Sequence, residues 1–303
     1  MQKCFKNCMT IDFNEATPLD AQHYLQHAIA PRPICFASTI DKLGQVNLSP
    51  FSFFNLFSTT PPVVIFSPVR RLRNNTTKHT LDNVFEVPEV VINIVSYEMV
   101  QQASLASCEF PKGTDEFEKA GFNKEPSLLV KPPRVKESPV QLECKVLEVK
   151  ALGNAGGAGN LVIAEVLLMH VKDEVLTQDG RMDQRKLDLV ARLGANWYTR
   201  ANAATIFEVE KPNTQLGIGV DALPLGIKTS KILTGNNLGQ LANVHDLPFV
   251  DPAFEDDRLK NIVQYYSINP GEMEIELHRY AKELLDAGQV ANAWQVLLAS
   301  DSF

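Results

Sequence analysis

Residues 140–171 constrain the fold of this chain more than any other stretch. Two β-prone runs, 140–149 and 161–171, flank the cluster G-N-A-G-G-A-G-N at 153–160. Val140, Leu142, Cys144 and Val146 alternate with polar residues, and Val149 falls one place out of step. A period of two places one side of a strand against a core and the other toward water. A glycine-rich link lets the chain double back, so the pair reads as a β-hairpin. The same glycines could cradle a phosphate, but the Lys-Ser/Thr ending of a P-loop is absent and a strand-like run follows.

The chain upstream has the same mixed texture. Short apolar runs at 34–40, 63–66 and 90–95 read as strands, the second placed behind the breaker Pro61-Pro62. Asp41-Lys42-Leu43-Gly44 reads as a turn. Thr17, Pro18 and Asp20 supply a hydroxyl cap, a first-turn proline and a first-turn acid, predicting a helix to about His27. Helices are also expected over 80–87 and 97–107, with a loop at 110–117 leading into a short one ended by Gly121. Beyond Pro212 the pattern turns helical, with runs at 256–267, 271–287 and 290–299. Met273, Leu277, Tyr280 and Leu284 share one face, and Val290, Trp294 and Leu297 another. This predicts an αα-hairpin whose role is packing on the main domain or on another subunit. The expected division is a domain over 1–212 and a C-terminal helical extension over 213–303.

Bulk properties exclude several classes. Of 303 residues 45% are hydrophobic and 21% charged, the balance of a globular protein. A net charge of −7 without a basic block argues against nucleic acid as a partner. No run approaches the roughly 20 apolar residues of a membrane helix, and the N-terminal stretch shows no apolar core of a secretory signal. The five cysteines include no C-x-x-C pair. Cys4 and Cys8 could meet one helical turn apart, but no further ligands with zinc-like spacing follow. Free thiols and a cytoplasmic location are the expectation. The six histidines form no H-E-x-x-H or H-x-H arrangement, so no metal site is expected. No nucleophile elbow and no G-x-G-x-x-G fingerprint occur, and no catalytic side chain is assigned.

Two stretches could hold a ligand. In 44–58, G-Q-V-N-L-S-P-F-S-F-F-N-L-F-S, a polar, turn-like half with Asn47, Ser49, Pro50 and Ser52 precedes a half rich in phenylalanine. Set between two apolar strands, it is either a ledge for a flat ligand or an irregular strand whose phenylalanines are core. The connector 70–79 carries Arg70, Arg71, Arg73 and Lys78 just before a helix start. Arg73, Lys78 and Thr80 could grip a phosphate there through charge and helix dipole together; a solvated basic loop is the other reading.

The order of segments resembles the flavin reductase-like, FMN-binding split-barrel family. The matching pieces are Ala30-Pro31-Arg32-Pro33-Ile34, then Asp41, Gly44 and the run from Asn47 to Asn55, then Ser58 with Pro61-Pro62. Lys78-His79-Thr80 with Asn83, the strand at 91–95, the F-P-K-G stretch at 110–122, and Arg192-Leu193-Gly194 with Tyr198 follow. The match spans about residues 24–212. The resemblance implies a mainly β fold with α, an antiparallel six-stranded split β-barrel with surrounding helices, assembled as a homodimer with FMN near the interface. It places Asn47, Leu48, Ser49, Pro50, Phe51 and Ser52 along the isoalloxazine, adds Asn55 as a further cofactor-binding residue, and sets Lys78 and Thr80 on the phosphate; Arg73 is an electrostatic addition. Family patterns often read Lys-Asp-Thr where this chain has Lys78-His79-Thr80, a loss of acid that should not weaken phosphate binding. Phe53, Phe54 and Phe57 are expected to be the packing behind the ledge. The implied activity is hydride transfer from NAD(P)H to FMN N5 and on to a flavin or another small acceptor. A non-catalytic FMN-binding module, regulatory or carrier, is the alternative, and a relative of the pyridoxamine-phosphate oxidases a third reading.

Overall fold

A computed structural model describes residues 3–5, 8–209, 211–212 and 216–299, with side chains from residue 8 onward. The chain divides into two units, 1–207 and 208–303. The residue after Pro212, where the sequence pattern changes, lies outside the described residues.

The first unit opens with two short paired strands, β1 (Lys3–Phe5) and β2 (Cys8–Thr10). Cys4 and Cys8 therefore lie on a ribbon and not one helical turn apart. Helix α1 (Pro18–Ala28) starts as expected, with Thr17 Oγ1 accepting from the Asp20 amide at 3.1 Å. Then come β3 (Cys35–Ile40), β4 (Val46–Phe51), β5 (Phe54–Thr59), β6 (Pro62–Phe66), α2 (His79–Glu86) and β7 (Glu89–Ile94). After them lie α3 (Val100–Leu105), α4 (Glu116–Ala120), β8 (Lys124–Glu125) and β9 (Arg134–Val135). The long pair β10 (Val140–Ala151) and β11 (Asn160–Val171) precedes α5 (Gln184–Leu187) and the small ribbon of β12 (Leu189–Arg192) and β13 (Tyr198–Ala201).

β10 and β11 pair antiparallel, with register shifts at Glu143/Cys144 and at Val146/Glu148. The second shift is a bulge, and it accounts for Val149 falling out of step. Around this hairpin a seven-stranded antiparallel sheet runs β4-β3-β7-β10-β11-β6-β5. Seven strands stand where six were expected because the stretch 44–58 is two strands. Its polar half is no turn: Val46–Phe51 pairs in register with β3, from Cys35↔Phe51 to Ile40↔Val46. Its aromatic half pairs with β6.

These two halves occupy opposite edges of the sheet. Phe51 and Phe54 are three residues apart, which limits their Cα atoms to about 11 Å. A flat sheet would separate its outer strands by roughly 29 Å. The sheet must therefore curl until its edges meet, and Phe51 packs on Phe66 with ring centroids 5.4 Å apart. Among the described residues no backbone pairing joins β4 to β5.

The curl encloses one core containing Cys35, Ala37, Phe66, Ile92, Cys144 and Val162. Outside it Ile34, Phe36 and Leu48 pack with Met99, Ala103 and Phe117 from the α3 and α4 region. β3 is thus buried on both sides, which is why 34–37 reads as an unbroken apolar run. Burial also pushes both interior thiols up, Cys144 to about 12 and Cys35 well above its usual value. They are packing groups.

The second unit contains α6 (Leu225–Lys228), α7 (Gly235–Ala242), α8 (Asp257–Tyr265), α9 (Pro270–Asp286) and α10 (Val290–Leu298). Of the expected stripes Met273, Leu277, Tyr280, Trp294 and Leu297 are buried, whereas Leu284 and Val290 are only partly so and Leu285, outside the stripe, is wholly buried. Gly288 takes a φ of +75° between α9 and α10, a conformation costly for any residue with a Cβ.

Candidate functional site

Edge strand β4 forms one wall of the site, and buried polar groups lock it in place. Asn47 Nδ2 donates to Thr80 Oγ1 at 2.8 Å, tying β4 to the first turn of α2. Thr80 is wholly buried, so its hydroxyl serves this bond. An edge strand leaves backbone donors without a ladder partner. At Leu48 the partner is a side chain: its N–H donates to Glu116 Oε2 at 3.0 Å. Glu116 is buried, and that burial raises its carboxyl above the ordinary range, the nearby Asp115 charge adding and the Leu48 N–H opposing.

Beside β4 a narrow crevice is lined by Asn47, Ser49, Arg71, Lys78 and His79, with the carboxylates of Glu109 and Glu116 also on its wall. Lys78 occupies the N-cap of α2, and no side chain caps that helix. Its ammonium has no carboxylate partner among the described residues, and its pKa is lowered by burial first, then by Arg71 and Arg73. Arg71 is held by Thr76 Oγ1 at 2.9 Å and by the Thr77 carbonyl. Its Nε lies 3.0 Å from Glu109 yet makes no well-directed hydrogen bond. His79 Nδ1 is buried without a partner, 4.0 Å from the Asp82 carboxylate. Unmet donors and crowded positive charge at the start of a helix suit an anion.

Further along β4, Pro50, Phe51 and Ser52 line a recess with Ser107, Arg192 and Tyr198. It shares Val100, Ser104, Arg192 and Tyr198 with a larger groove of about 350 Å³. Recess and groove thus adjoin, while crevice and recess share no residue and are lined by neighbouring ones, Ser49 and Pro50.

The predicted residues distribute unevenly over crevice, recess and groove. Asn47, Ser49, Pro50, Phe51 and Ser52 line these cavities, whereas Leu48 is wholly buried and lines none of them. Lys78 and Thr80 stand at the crevice. Arg73 does not line it: its side chain is 69% exposed and ion-paired with Glu109. Arg71, with 13% exposure, takes the inner place. Asn55 lies apart on β5, exposed, its Oδ1 accepting from the Leu56 N–H at 2.8 Å. The packing assigned to Phe53 and Phe57 is also absent, for both are exposed, whereas Phe54 packs on the main core. Sequence reasoning missed Glu116 and His79 as site residues, although both fall inside quoted motif segments. No three or more His, Cys, Asp or Glu side chains cluster as metal ligands among the described residues, and no helix is long and apolar enough to cross a membrane.

Comparison with known proteins follows the same outline. Residues 27–188 match the Flavin reductase like domain, and the chain belongs to that family. An uncharacterised protein of Aquifex aeolicus is 38% identical over 173 residues, covering 57% of this chain and 86% of its own. The structure is similar to that of nitrilotriacetate monooxygenase component B from Bacillus cereus, with a TM-score of 0.63 and 28% identity. That likeness covers 68% of this chain and all of the other. The flavoredoxin of Desulfovibrio vulgaris shares the fold at a TM-score of 0.50 and 23% identity, covering 59% of this chain and 90% of its own. The family match ends before the helical unit begins.

Proposed function

We propose that this protein is a cytoplasmic, homodimeric FMN flavoprotein that takes hydride from NADH or NADPH. Electrons then pass to a free flavin or another small acceptor. The observation that carries this reading is a crevice with unmet donors and a recess lined by successive residues of one strand, β4. FMN has that outline, a phosphate at one end and a planar ring at the other, and the residues present fit it. Lys78, Arg71 and His79 would hold the phosphate, and Ser49 to Ser52 would lie along the ring in the split barrel formed by the curled sheet.

Bound FMN would supply a hydride-accepting N5, so no acid or base from the chain is required. The chain's tasks are to bind, to orient and to keep water from the ring. Glu116 and Thr80 serve orientation, since both fix β4 through single buried hydrogen bonds. Likeness to a monooxygenase component supports an oxidoreductase. Support for the homodimer comes from apolar side chains left in water on β5, β10 and the turn after it. Leu56 is 57% exposed, Phe57 63%, Leu147 50% and Leu152 62%. The adjacent Leu56 and Phe57 on edge strand β5 are the part of this surface that a second copy would cover.

The test is direct. The purified protein should be yellow or become so on adding FMN, and should oxidise NADH or NADPH faster with FMN than without. Colour with no nucleotide oxidation would reduce the assignment to a carrier or regulatory module. Absence of flavin affinity would refute it.

A further inference from the structure

We propose that the groove beyond the recess binds the anionic group of the second reactant, with Arg192 as its ligand. That group is a phosphate of the hydride donor or a carboxylate of the acceptor. The assignment rests on the flavin reading in one respect only, that the recess beside the groove holds the ring.

The charges decide the point. Arg200 also lines the groove, but Asp188 neutralises it through two contacts of 2.6 Å. Arg192 has no such partner. Its Nη1 donates to Tyr198 Oη at 3.0 Å and its Nη2 to the Ala195 carbonyl at 2.7 Å, both neutral. Its Nε is buried with no acceptor, and no carboxylate pairs with it among the described residues. Arg32 stands directly across a backbone bridge from Arg192, with N–H to carbonyl distances of 2.9 Å each way. Arg32 is only 7% exposed, and its donors also end on neutral groups, the carbonyls of Gln26, Ile29 and Leu193. Two adjacent guanidiniums without a carboxylate are an electrostatic deficit that an anion in the groove would settle.

The remaining walls suit a planar molecule. The Arg192 guanidinium lies 4.8 Å from the Tyr198 ring centre and Arg200 lies 3.7 Å from that of Tyr97. Gln101 and Asn196 supply amides. The turn after Arg192 approaches α1 closely, since any Cβ at Gly194 would meet the His27 ring, and Arg192 itself is held by backbone pairing with Tyr198 and Arg32. Arg192 is thus presented by a rigid ribbon, as a binding group should be. A fork-shaped cation on an aromatic plane beside a flat recess recognises a ring bearing a carboxylate or phosphate.

The test titrates the full chain, in saturating FMN, with benzoate and separately with inorganic pyrophosphate, by calorimetry. At least one should bind, with affinity about ten-fold or more weaker in Arg192→Gln and partly restored in Arg192→Lys. Lys78→Ala should leave it unchanged, since its crevice serves the other anion. Benzoate binding alone names a carboxylate acceptor, and pyrophosphate binding alone a nucleotide donor. Failure of both anions to bind wild type, or equal binding by wild type and Arg192→Gln, overturns the proposal. So does binding lost in Lys78→Ala and kept in Arg192→Gln. If Arg192 only pins its turn, Arg192→Gln lowers the melting temperature and leaves anion affinity alone. Flavin uptake, read by absorbance, is scored separately. A chain that takes up no flavin refutes the proposed function, while comparing Arg192 with Arg192→Gln in the Lys78→Ala background, where the other crevice is disabled, still decides the groove.

Discussion

Replacing Lys78 by alanine should separate the two states of the protein. In the free protein the ammonium is partly buried, lacks a carboxylate among the described residues and is crowded by Arg71 and Arg73. Its removal relieves desolvation and repulsion, so the melting temperature of the flavin-free protein should hold or rise. With FMN bound the same ammonium faces a phosphate, and one charge-assisted contact contributes about 1.5–3 kcal/mol. The dissociation constant for FMN should therefore rise roughly 10- to 150-fold. Arg71 and His79 remain in the crevice, so binding weakens without vanishing. A fluorescence titration of FMN and a thermal melt of the flavin-free protein measure the two halves. An unchanged dissociation constant would place the phosphate elsewhere. For a unit of about 200 residues each kcal/mol lost lowers the melting temperature by roughly 2–4 °C. A fall of that size in the flavin-free protein would make Lys78 a structural residue and refute the reasoning.

Three further outcomes follow from buried or exposed side chains. Glu116→Gln keeps an acceptor for the Leu48 N–H and removes a charge whose carboxyl is raised by burial. A raised carboxyl favours the folded state only while protonated, so the variant should melt higher at pH 7 and lose that advantage as pH falls from above the ordinary carboxylate range down to it. Glu143→Ala should cost about 3–5 kcal/mol in denaturant unfolding, because the wholly buried carboxylate accepts from Leu128, Leu129 and Val130 amides and lies 2.7 Å from His170. Burial pushes that carboxyl up, but the amides and His170 outweigh it and hold it low, so the deficit should shrink only below the ordinary carboxylate range. Phe57→Ser, at an exposed position, should leave the fold within about 0.5 kcal/mol of wild type and convert dimer to monomer by sedimentation.

What could be read in the sequence was local. The 140–171 hairpin was visible because alternation and a glycine link are properties of contiguous residues. Its bulge announced itself as one valine out of step. The α1 cap and the helical stripe of α9 were visible for the same reason. The division of 44–58 was not, since nothing local says that Ser52 and Phe53 bridge two edges of one sheet. Arg71 and Arg73 are equivalent as letters; only the path of the 71–77 turn sends one inward and leaves the other in water. Glu116 became a site residue through Leu48, 68 positions away, and such a contact has no signature in spacing.

The meeting of the two sheet edges also bears on how the protein folds. Among the described residues β4 has strand pairing only with β3, which pairs with β7 roughly sixty residues on. β5 is fixed only by β6, which pairs with β11 about a hundred residues on. The recess beside Ser52, walled also by Arg192 and Tyr198, needs the β3–β7 loop and the longer one from Arg32 to Arg192 to close, a step whose entropy is lost before local contacts repay it. Flavin added during refolding should accordingly leave the early phases unchanged and act on the last one. The ligand ledge is a late product of assembly, although its own residues are adjacent in the chain.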